Sequence, residues 1–397
     1  MYDVIVIGAG GMGASAAYQL ALDGKRVLLL EQYQVGHTRG SSHGGSRIIR
    51  YMHETAEYAS LMPATFALWR GIEEAAGEEL LQLTGGLYIG PPDDPFLIDC
   101  AATLAGLDMP FRMLTAADIR REFPQFRIPD HWVALYEANS GILAASRSVA
   151  ALVRLATERG ATLLEEAHVS QVTPTPHGVQ VTYRRHGESC TVEAAQAVIS
   201  AGPWAGQFLA PLVPYAIPLQ VTHQQVGYFQ ANDTALYSAK RCPIFIFVTE
   251  PHGYGFPIFE RPGLIKVARE LFNNVVDPDD AARGVDAENQ AMLCETVMQM
   301  MNGVDPTPVQ MDICLYTETP TRDFVIDRHP LHPQILIAAG FSGRGFKFVA
   351  AVGRLLADLA DTPAGVYTSP LWRDKFRIDR FAEGRPESLS FRPPVFH

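Results

Sequence analysis

Long apolar runs, clustered basic residues and paired cysteines are all missing from this 397-residue chain, and each absence removes a class of protein. No uninterrupted apolar stretch approaches the ~20 residues that a membrane-spanning helix requires. The chain opens directly on Tyr2-Asp3-Val4-Ile5-Val6-Ile7, with no basic segment before it and no small-residue cleavage site soon after. The expectation is a cytoplasmic protein without a membrane partner. Lysine and arginine total 32 against 43 aspartates and glutamates, a net charge of -11, and they form no block that could track a phosphate backbone. Nucleic acid is therefore not an expected partner, although a buried pocket can be locally cationic inside an anionic protein. The five cysteines, Cys100, Cys190, Cys242, Cys294 and Cys314, are dispersed, odd in number and form no CxxC pair. That excludes a disulfide framework and a zinc site, so no metal is expected. Most should be buried thiols behaving as small hydrophobes. The sequence contains no internal repeat.

What is present suits a compact fold with many tight turns: 47% hydrophobic and 19% charged residues, with 33 glycines and 28 prolines. The length exceeds that of a usual single domain, so two closely connected domains are expected. Val4 to Ile7 is a β-branched apolar run of the kind buried in a parallel sheet, and Gly8-Ala9-Gly10-Gly11-Met12-Gly13 follows at once. Gly8 permits a tight turn, Gly10 lets the backbone approach a pyrophosphate, and Gly13 allows the next helix, Ala14 to Leu22, to pack on the strand. The helix N-terminus offers amide groups and a positive dipole end to the phosphates. A second strand, Arg26 to Leu30, ends in Glu31, placed to accept ribose hydroxyls and to repel a 2'-phosphate. The pattern favours FAD or NAD over NADP and does not separate the first two.

Further along, the patterns predict a helix over Glu57 to Ala76, a strand over Leu83 to Ile89, and a proline-rich crossing at Pro91-Pro92-Asp93-Asp94-Pro95. A helix is predicted over Ser146 to Glu158, with strands at Thr162 to Glu166, Val179 to Thr182 and Thr191 to Ser200. The turn Ala201-Gly202-Pro203-Trp204 is of a type found under cofactors. Strands at Ile244 to Thr249 and Gly263 to Val267 precede a helix over Asp286 to Met301. A strand at Ile335 to Ala339 leads into a second glycine-rich helix entrance, Gly340 to Phe348, which could meet negative charge or a polar ring edge.

Five islands together resemble the monomeric sarcosine oxidase family of FAD-dependent amine oxidases, which includes N-methyltryptophan oxidase and pipecolate oxidase. They are Gly8 to Gly13 with Glu31; Gly40-Ser41-Ser42-His43-Gly44-Gly45-Ser46-Arg47-Ile48-Ile49-Arg50; Tyr254-Gly255-Phe256-Pro257; Cys314-Leu315-Tyr316-Thr317 followed by Asp323-Phe324-Val325-Ile326-Asp327; and Gly340 to Phe348. The resemblance spans nearly the whole chain. It implies an α/β and α+β architecture, a Rossmann-like FAD-binding domain with a mixed-sheet substrate-binding domain. The expected division is 1–90, 145–220 and 308–385 for FAD, and 91–144 and 221–307 for substrate.

The resemblance also implies FAD attached by a thioether from Cys314 to the 8α carbon of the flavin. That bond needs a thiolate near positive charge and within reach of the ring. It places Arg47 over the flavin face, Arg50 and Lys347 on the substrate carboxylate, and Lys266 where a cation activates oxygen. Tyr254 and Tyr316 are expected to line the substrate cavity. Cofactor contacts are expected from Gly8, Gly10, Gly11, Gly13, Glu31, Ser42, Ser46, Arg47, Val169 and Cys314. Gly343, Arg344, Gly345, Phe346 and Lys347 should supply the rest, with backbone donors to the pyrimidine edge.

Three positions depart from the family pattern. Arg269-Glu270 stands where a family histidine contacts the amine, Arg344 replaces a histidine, and Ser46 replaces a threonine. Glu270 could pair with a cationic amine or with Arg269. The expected activity is oxidation of a secondary amino acid, sarcosine or another N-methyl amino acid, to an imine that hydrolyses, with oxygen reduced to hydrogen peroxide, by a monomer. Cyclic amino acids, sugar-amine adducts, a different electron acceptor, or a flavin subunit needing a partner are the alternatives.

Overall fold

The computed structural model describes residues 1–271, 274–280, 284–363 and 375–382. The positions of the expected domains at 272–273, 281–283, 364–374 and 383–385 lie outside the described residues. Among the described residues no helix is long and apolar enough to cross a membrane.

The first sheet has eight strands. Its centre is parallel: Glu188–Ile199, Tyr2–Ile7, Val27–Leu30 and Thr162–Leu164 lie side by side, and Ile335–Ala339 adds to Glu188–Ile199 from the other side. Strands with polar outer faces, His168–Thr175 and Gly178–Arg185, extend it antiparallel. Val4, Ile5, Val6 and Ile7 are all buried, because helices cover one face and an apolar layer around Val169, Leu209 and Ile337 covers the other. The helices Gly11–Leu22, Ala145–Glu158 and Val349–Asp361 pack together over the first face. The small residues Ala14, Ala16, Ala17 and Gly353 permit that close approach.

The second sheet, also of eight strands, runs Val304–Glu318, Gln220–Ala231, Leu264–Ala268, Gly253–Phe256, Ile244–Phe247, Gly86–Gly90, Val133–Glu137 and Arg112–Thr115. It is antiparallel apart from the parallel pair of Ile244–Phe247 with Gly86–Gly90. A core of Phe126, Phe229, Phe245, Phe247, Leu293 and Val297 seats the helix Ala287–Met300 against it. A small third sheet, Arg47–Ile49 with Gly141–Leu143 and Leu81–Leu83, joins the two halves.

This is the mixed α/β and α+β architecture expected, with differences in detail. The single strand expected over Leu83 to Ile89 is two, Leu81–Leu83 and Gly86–Gly90, in different sheets, because Gly85 at φ +72° turns the chain between them. The proline-rich crossing is a helix start: Asp94 accepts from the amides of Phe96 and Leu97 and Pro95 occupies the first turn. Gly86–Gly90 and the whole of Val304–Glu318 hydrogen-bond within the second sheet. The sheets therefore exchange the chain at different points from the expected residues 90 and 308.

Candidate active site

One cleft, about 1480 Å³ with its open mouth included, runs along the C-terminal ends of the parallel strands. Ile7, Leu30, Ser200 and Ala338 mark those ends on its wall, the usual crevice of an open α/β sheet. Its wall includes Gly8, Gly10, Gly11, Glu31, Ser42 and Val169, together with Arg47, Tyr316, Gly343, Gly345 and Phe346.

The glycine turn is held from inside. Gly8 adopts φ +96°, and a Cβ there would lie 2.6 Å from the Ser200 carbonyl oxygen. The helix beginning at Gly11 has no side-chain cap, so its first amides remain for a ligand, apart from Gly11 N–H, which donates to Ser42 Oγ at 3.0 Å. Glu31 accepts from the amides of Ala9 at 2.8 Å and Tyr33 at 3.0 Å, with His37 Nε2 at 3.4 Å. Burial pushes its carboxyl up, but His37 and the two amides hold it ionised below the usual range. It thus fixes the turn as well as facing the cleft. A bulge in the strand register at Val169 brings that residue to the wall.

These features fit FAD. Two glycine turns line the cleft, the carboxylate of Glu31 stands on its wall where a ribose could meet it, and Val349–Asp361 opens behind the second turn.

Arg47 is pinned by three carbonyls, donating to Ser46 O at 2.8 Å, Ser41 O at 2.9 Å and His43 O at 2.7 Å, with its guanidinium 5.7 Å from the Phe346 ring centroid. Lys266 is buried and reaches Ser46 Oγ at 3.1 Å and Glu260 at 3.4 Å. Burial draws its ammonium below the usual lysine range while Glu260 pulls it up. Ser46, an expected cofactor contact, does not line the cleft: its hydroxyl donates to Glu260 at 2.9 Å and belongs to the lysine's surroundings. Cys314 stands just before the lining residues Leu315, Tyr316 and Thr317 and is partly exposed. Burial raises its thiol, and Arg47 and Lys266 pull it back down. Tyr254 and Tyr316 join hydroxyl to hydroxyl at 3.2 Å.

Arg50 and Lys347 are both buried. Arg50 donates to the Tyr88 hydroxyl and lies 5.1 and 5.9 Å from the Tyr88 and Phe96 ring centroids. Lys347 donates to Arg344 O at 2.8 Å. Burial first, then Arg50 and Arg344, push its ammonium far below the usual range. Among the described residues neither cation has an ion-pair partner, whereas Arg344 pairs with Glu54. Burial raises the Glu54 carboxyl, but Arg344 and Arg50 overcome it and hold it at about 2.

The expected Glu270 to Arg269 pair does not form. Arg269 turns to Glu250 at 2.7 Å, and Glu270 binds Arg322 at 3.1 Å. The two side chains follow the strand Leu264–Ala268 in succession and take different partners. Glu260, Glu54, Arg322 and Glu318 are site components that the motifs do not disclose. The aromatic and hydroxyl residues they support are near in space and far in sequence.

The model of the FAD dependent oxidoreductase family matches residues 3–359. Monomeric sarcosine oxidase of Streptomyces avermitilis is 40% identical over 91% of this chain and 94% of that protein. N-methyl-L-tryptophan oxidase of Salmonella newport is 30% identical over 96% and 100% respectively. The open form of NikD, an unusual amino acid oxidase essential for nikkomycin biosynthesis, superposes with a TM-score of 0.81 at 27% identity, covering 91% of this chain and 95% of its own. The chain belongs to the family of FAD-dependent oxidoreductases that includes monomeric sarcosine oxidase and N-methyl-L-tryptophan oxidase.

Proposed function

We propose that this protein oxidises a secondary amino acid, sarcosine or another N-methyl amino acid, to an imine that hydrolyses to an aldehyde and an amine, with oxygen reduced to hydrogen peroxide. The observation that carries the reading is the buried pair Arg50 and Lys347, two cations without an acidic partner among the described residues, Lys347 directly following the cleft residue Phe346. Buried cations are costly unless a ligand compensates them, and an amino-acid carboxylate supplies that charge. The activities of the sarcosine and N-methyl-L-tryptophan oxidases among its relatives support it.

FAD, when bound, supplies the two-electron acceptor that no side chain can provide. Arg50 gives a planar donor fork and Lys347 a point charge, so together they fix the carboxylate end of the substrate. The Tyr254 and Tyr316 hydroxyls, with pKa values raised by burial, remain protonated, and Tyr316 lines the cleft. Arg47, locked by its three carbonyls, offers a fixed positive charge without reorganisation. Anaerobic bleaching of the flavin spectrum by a panel of sarcosine, larger N-methyl amino acids, pipecolate, proline and primary amino acids tests the reading. Rapid bleaching by secondary amino acids is the expected result, and no bleaching by any amino acid rejects it.

We assign Lys266 to stabilising the negative charge that develops on oxygen. Lys266→Met should slow reoxidation of reduced protein by oxygen on the order of 10²-fold, while anaerobic reduction by substrate changes little. Equal reoxidation rates in stopped flow would remove Lys266 from that role. Cys314 is our candidate for covalent attachment. Acid-precipitated wild-type protein should stay yellow, and Cys314→Ser should release its flavin to the supernatant; colour retained by the variant points elsewhere. A monomer acting in the cytoplasm completes the proposal.

A further inference from the structure

Behind Tyr316 lies a buried charged group that the mechanism above leaves unused. Glu318 ends the strand Val304–Glu318 two residues beyond Tyr316 and is only 4% exposed. Neither of its carboxylate oxygens has a hydrogen-bond partner among the described residues. The nearest compensating charge is Arg322, whose Nε lies 3.7 Å from Glu318 Oε2 and whose Nη2 lies 3.1 Å from Glu270 Oε2. The same Nη2 donates to Ser342 O at 3.1 Å, and Ser342 is on the wall of the cleft. The Ser342 hydroxyl donates to Gly340 O at 3.2 Å and also acts to lower the Glu318 carboxyl. Two carboxylates therefore share one guanidinium at the edge of the site. Arg344 is the other cation acting on both, and His252 acts on Glu270.

We propose that Glu270 and Glu318, bridged by Arg322, accept the proton that a bound secondary ammonium must lose before oxidation, so that the substrate is taken up as its zwitterion. The proposal rests on the secondary-amine reading above. The site is then dipolar: Arg50 and Lys347 meet the carboxylate, and the Glu270 end meets the ammonium. Glu270 is tied to the cleft through Arg322, whose Nη2 reaches both Glu270 and the carbonyl of the wall residue Ser342 at 3.1 Å. In the step, one N–H bond of the ammonium breaks, the electron pair stays on nitrogen, and an O–H bond forms on a carboxylate. The products are a neutral amine and a carboxylic acid, and no oxidant is consumed. Two carboxylates sharing one cation hold a first proton more tightly than either would alone. Burial raises the Glu318 carboxyl to about 7, against the pull of Arg322 and with Glu270 adding to the rise. Glu270, by contrast, is pushed up by burial but held below the usual range by Arg322 and His252. It is the contact group, and Glu318 shares the proton as a positioning partner.

Two measurements on the FAD-loaded protein test this. The first is infrared titration without substrate: a protonated-carboxyl band that disappears as pH rises through neutrality, and that is absent in Glu318→Gln, is expected. Absence of any such band in the wild type overturns the proposal, whatever the substrate. The second is the pH profile of kcat/KM with the N-methyl amino acid that bleaches the flavin fastest. The rate should fall as pH drops below about 7, where Glu318 already holds the first proton of the pair. Glu318→Gln removes the like charge and should move that limb about one unit toward acid, with Glu318→Asp restoring it. Glu270→Gln should lower kcat/KM on the order of 10²-fold. Limbs identical in all variants overturn the proposal. If no amine bleaches the flavin, the amine reading fails while the infrared band still decides whether the pair holds a proton.

Discussion

A Gly13→Val variant is expected to purify colourless, with no bound flavin. A Cβ at Gly13 would lie 1.8 Å from the Gly8 carbonyl oxygen and 2.5 Å from Ser200 Oγ. The first contact cannot be relieved by a side-chain rotation, because it is with backbone that itself sits at φ +96°. The turn must open, and with it the amides that would face the pyrophosphate move out of register. A loss of about 4 kcal/mol corresponds to roughly 10³-fold weaker FAD binding, enough to lose the cofactor during purification. Gly71→Ala is the matched control, since Gly71 lies inside the helix Ala56–Ala76 with open space around it. Alanine should be tolerated there, and the helix slightly stabilised. The measurement is the ratio of visible flavin absorbance to protein absorbance for the two variants. Full flavin content in Gly13→Val would show that Gly8 to Gly13 is not the pyrophosphate turn.

That turn is legible in the sequence because its physics is local: a β-branched strand, glycines at fixed offsets, a helix and a terminal acid all fall within Val4 to Glu31. The two longest strands of the second sheet are not legible, and the reason is visible in their residues. In Gln220–Ala231 four successive polar residues, Thr222, His223, Gln224 and Gln225, are buried, so the alternation that announces a half-exposed strand is absent. Gln224 is satisfied by the amide and carbonyl of Leu271, a partner that only the folded chain supplies. Val304–Glu318 contains Pro306 and Pro308, residues that argue against a strand unless it lies at a sheet edge, which is where it sits.

The site divides in the same way. Lys266 lies outside the motifs on the strand Leu264–Ala268, while the other cations, Arg47, Arg50 and Lys347, stand in motifs. The acids that tune them do not, because Glu260 meets Ser46 across 214 residues and Glu54 meets Arg344 across 290. Ser46 shows what a motif alone does not give: its hydroxyl donates to Glu260, which lies between two strands of the second sheet. The shared guanidinium of Arg322 is of the same kind, since the residue lies in a turn with φ +60° and its two carboxylates come from separate strand ends.

Lys347→Met is expected to produce a protein that is more stable and nearly inactive. The wild-type ammonium is buried, its only hydrogen bond among the described residues is to a carbonyl, and Arg50 and Arg344 repel it. Removing it removes a desolvation cost, and methionine fills similar volume. The sign of the pH dependence follows from the direction of the shift. A lysine whose folded pKa lies below its unfolded value penalises the fold fully at low pH, and stability recovers as pH rises from the folded pKa toward ~10.4. The gain in Tm from Lys347→Met should therefore be largest at acid pH and shrink at alkaline pH. Activity moves the other way. Losing one member of a buried charge pair with the substrate carboxylate costs about 2–5 kcal/mol, or on the order of 10²-fold or more in kcat/KM. Arg50→Gln should lose a comparable factor, and the double variant less than the product, because both cations serve one carboxylate. Comparing the best N-methyl amino acid with its carboxamide isolates the effect: the wild type should strongly prefer the acid, and Lys347→Met should lose most of that preference. A variant that keeps the preference would place the carboxylate elsewhere and leave Arg50 and Lys347 as structural charges, in which case the stability gain on removing Lys347 would stand without the loss of turnover.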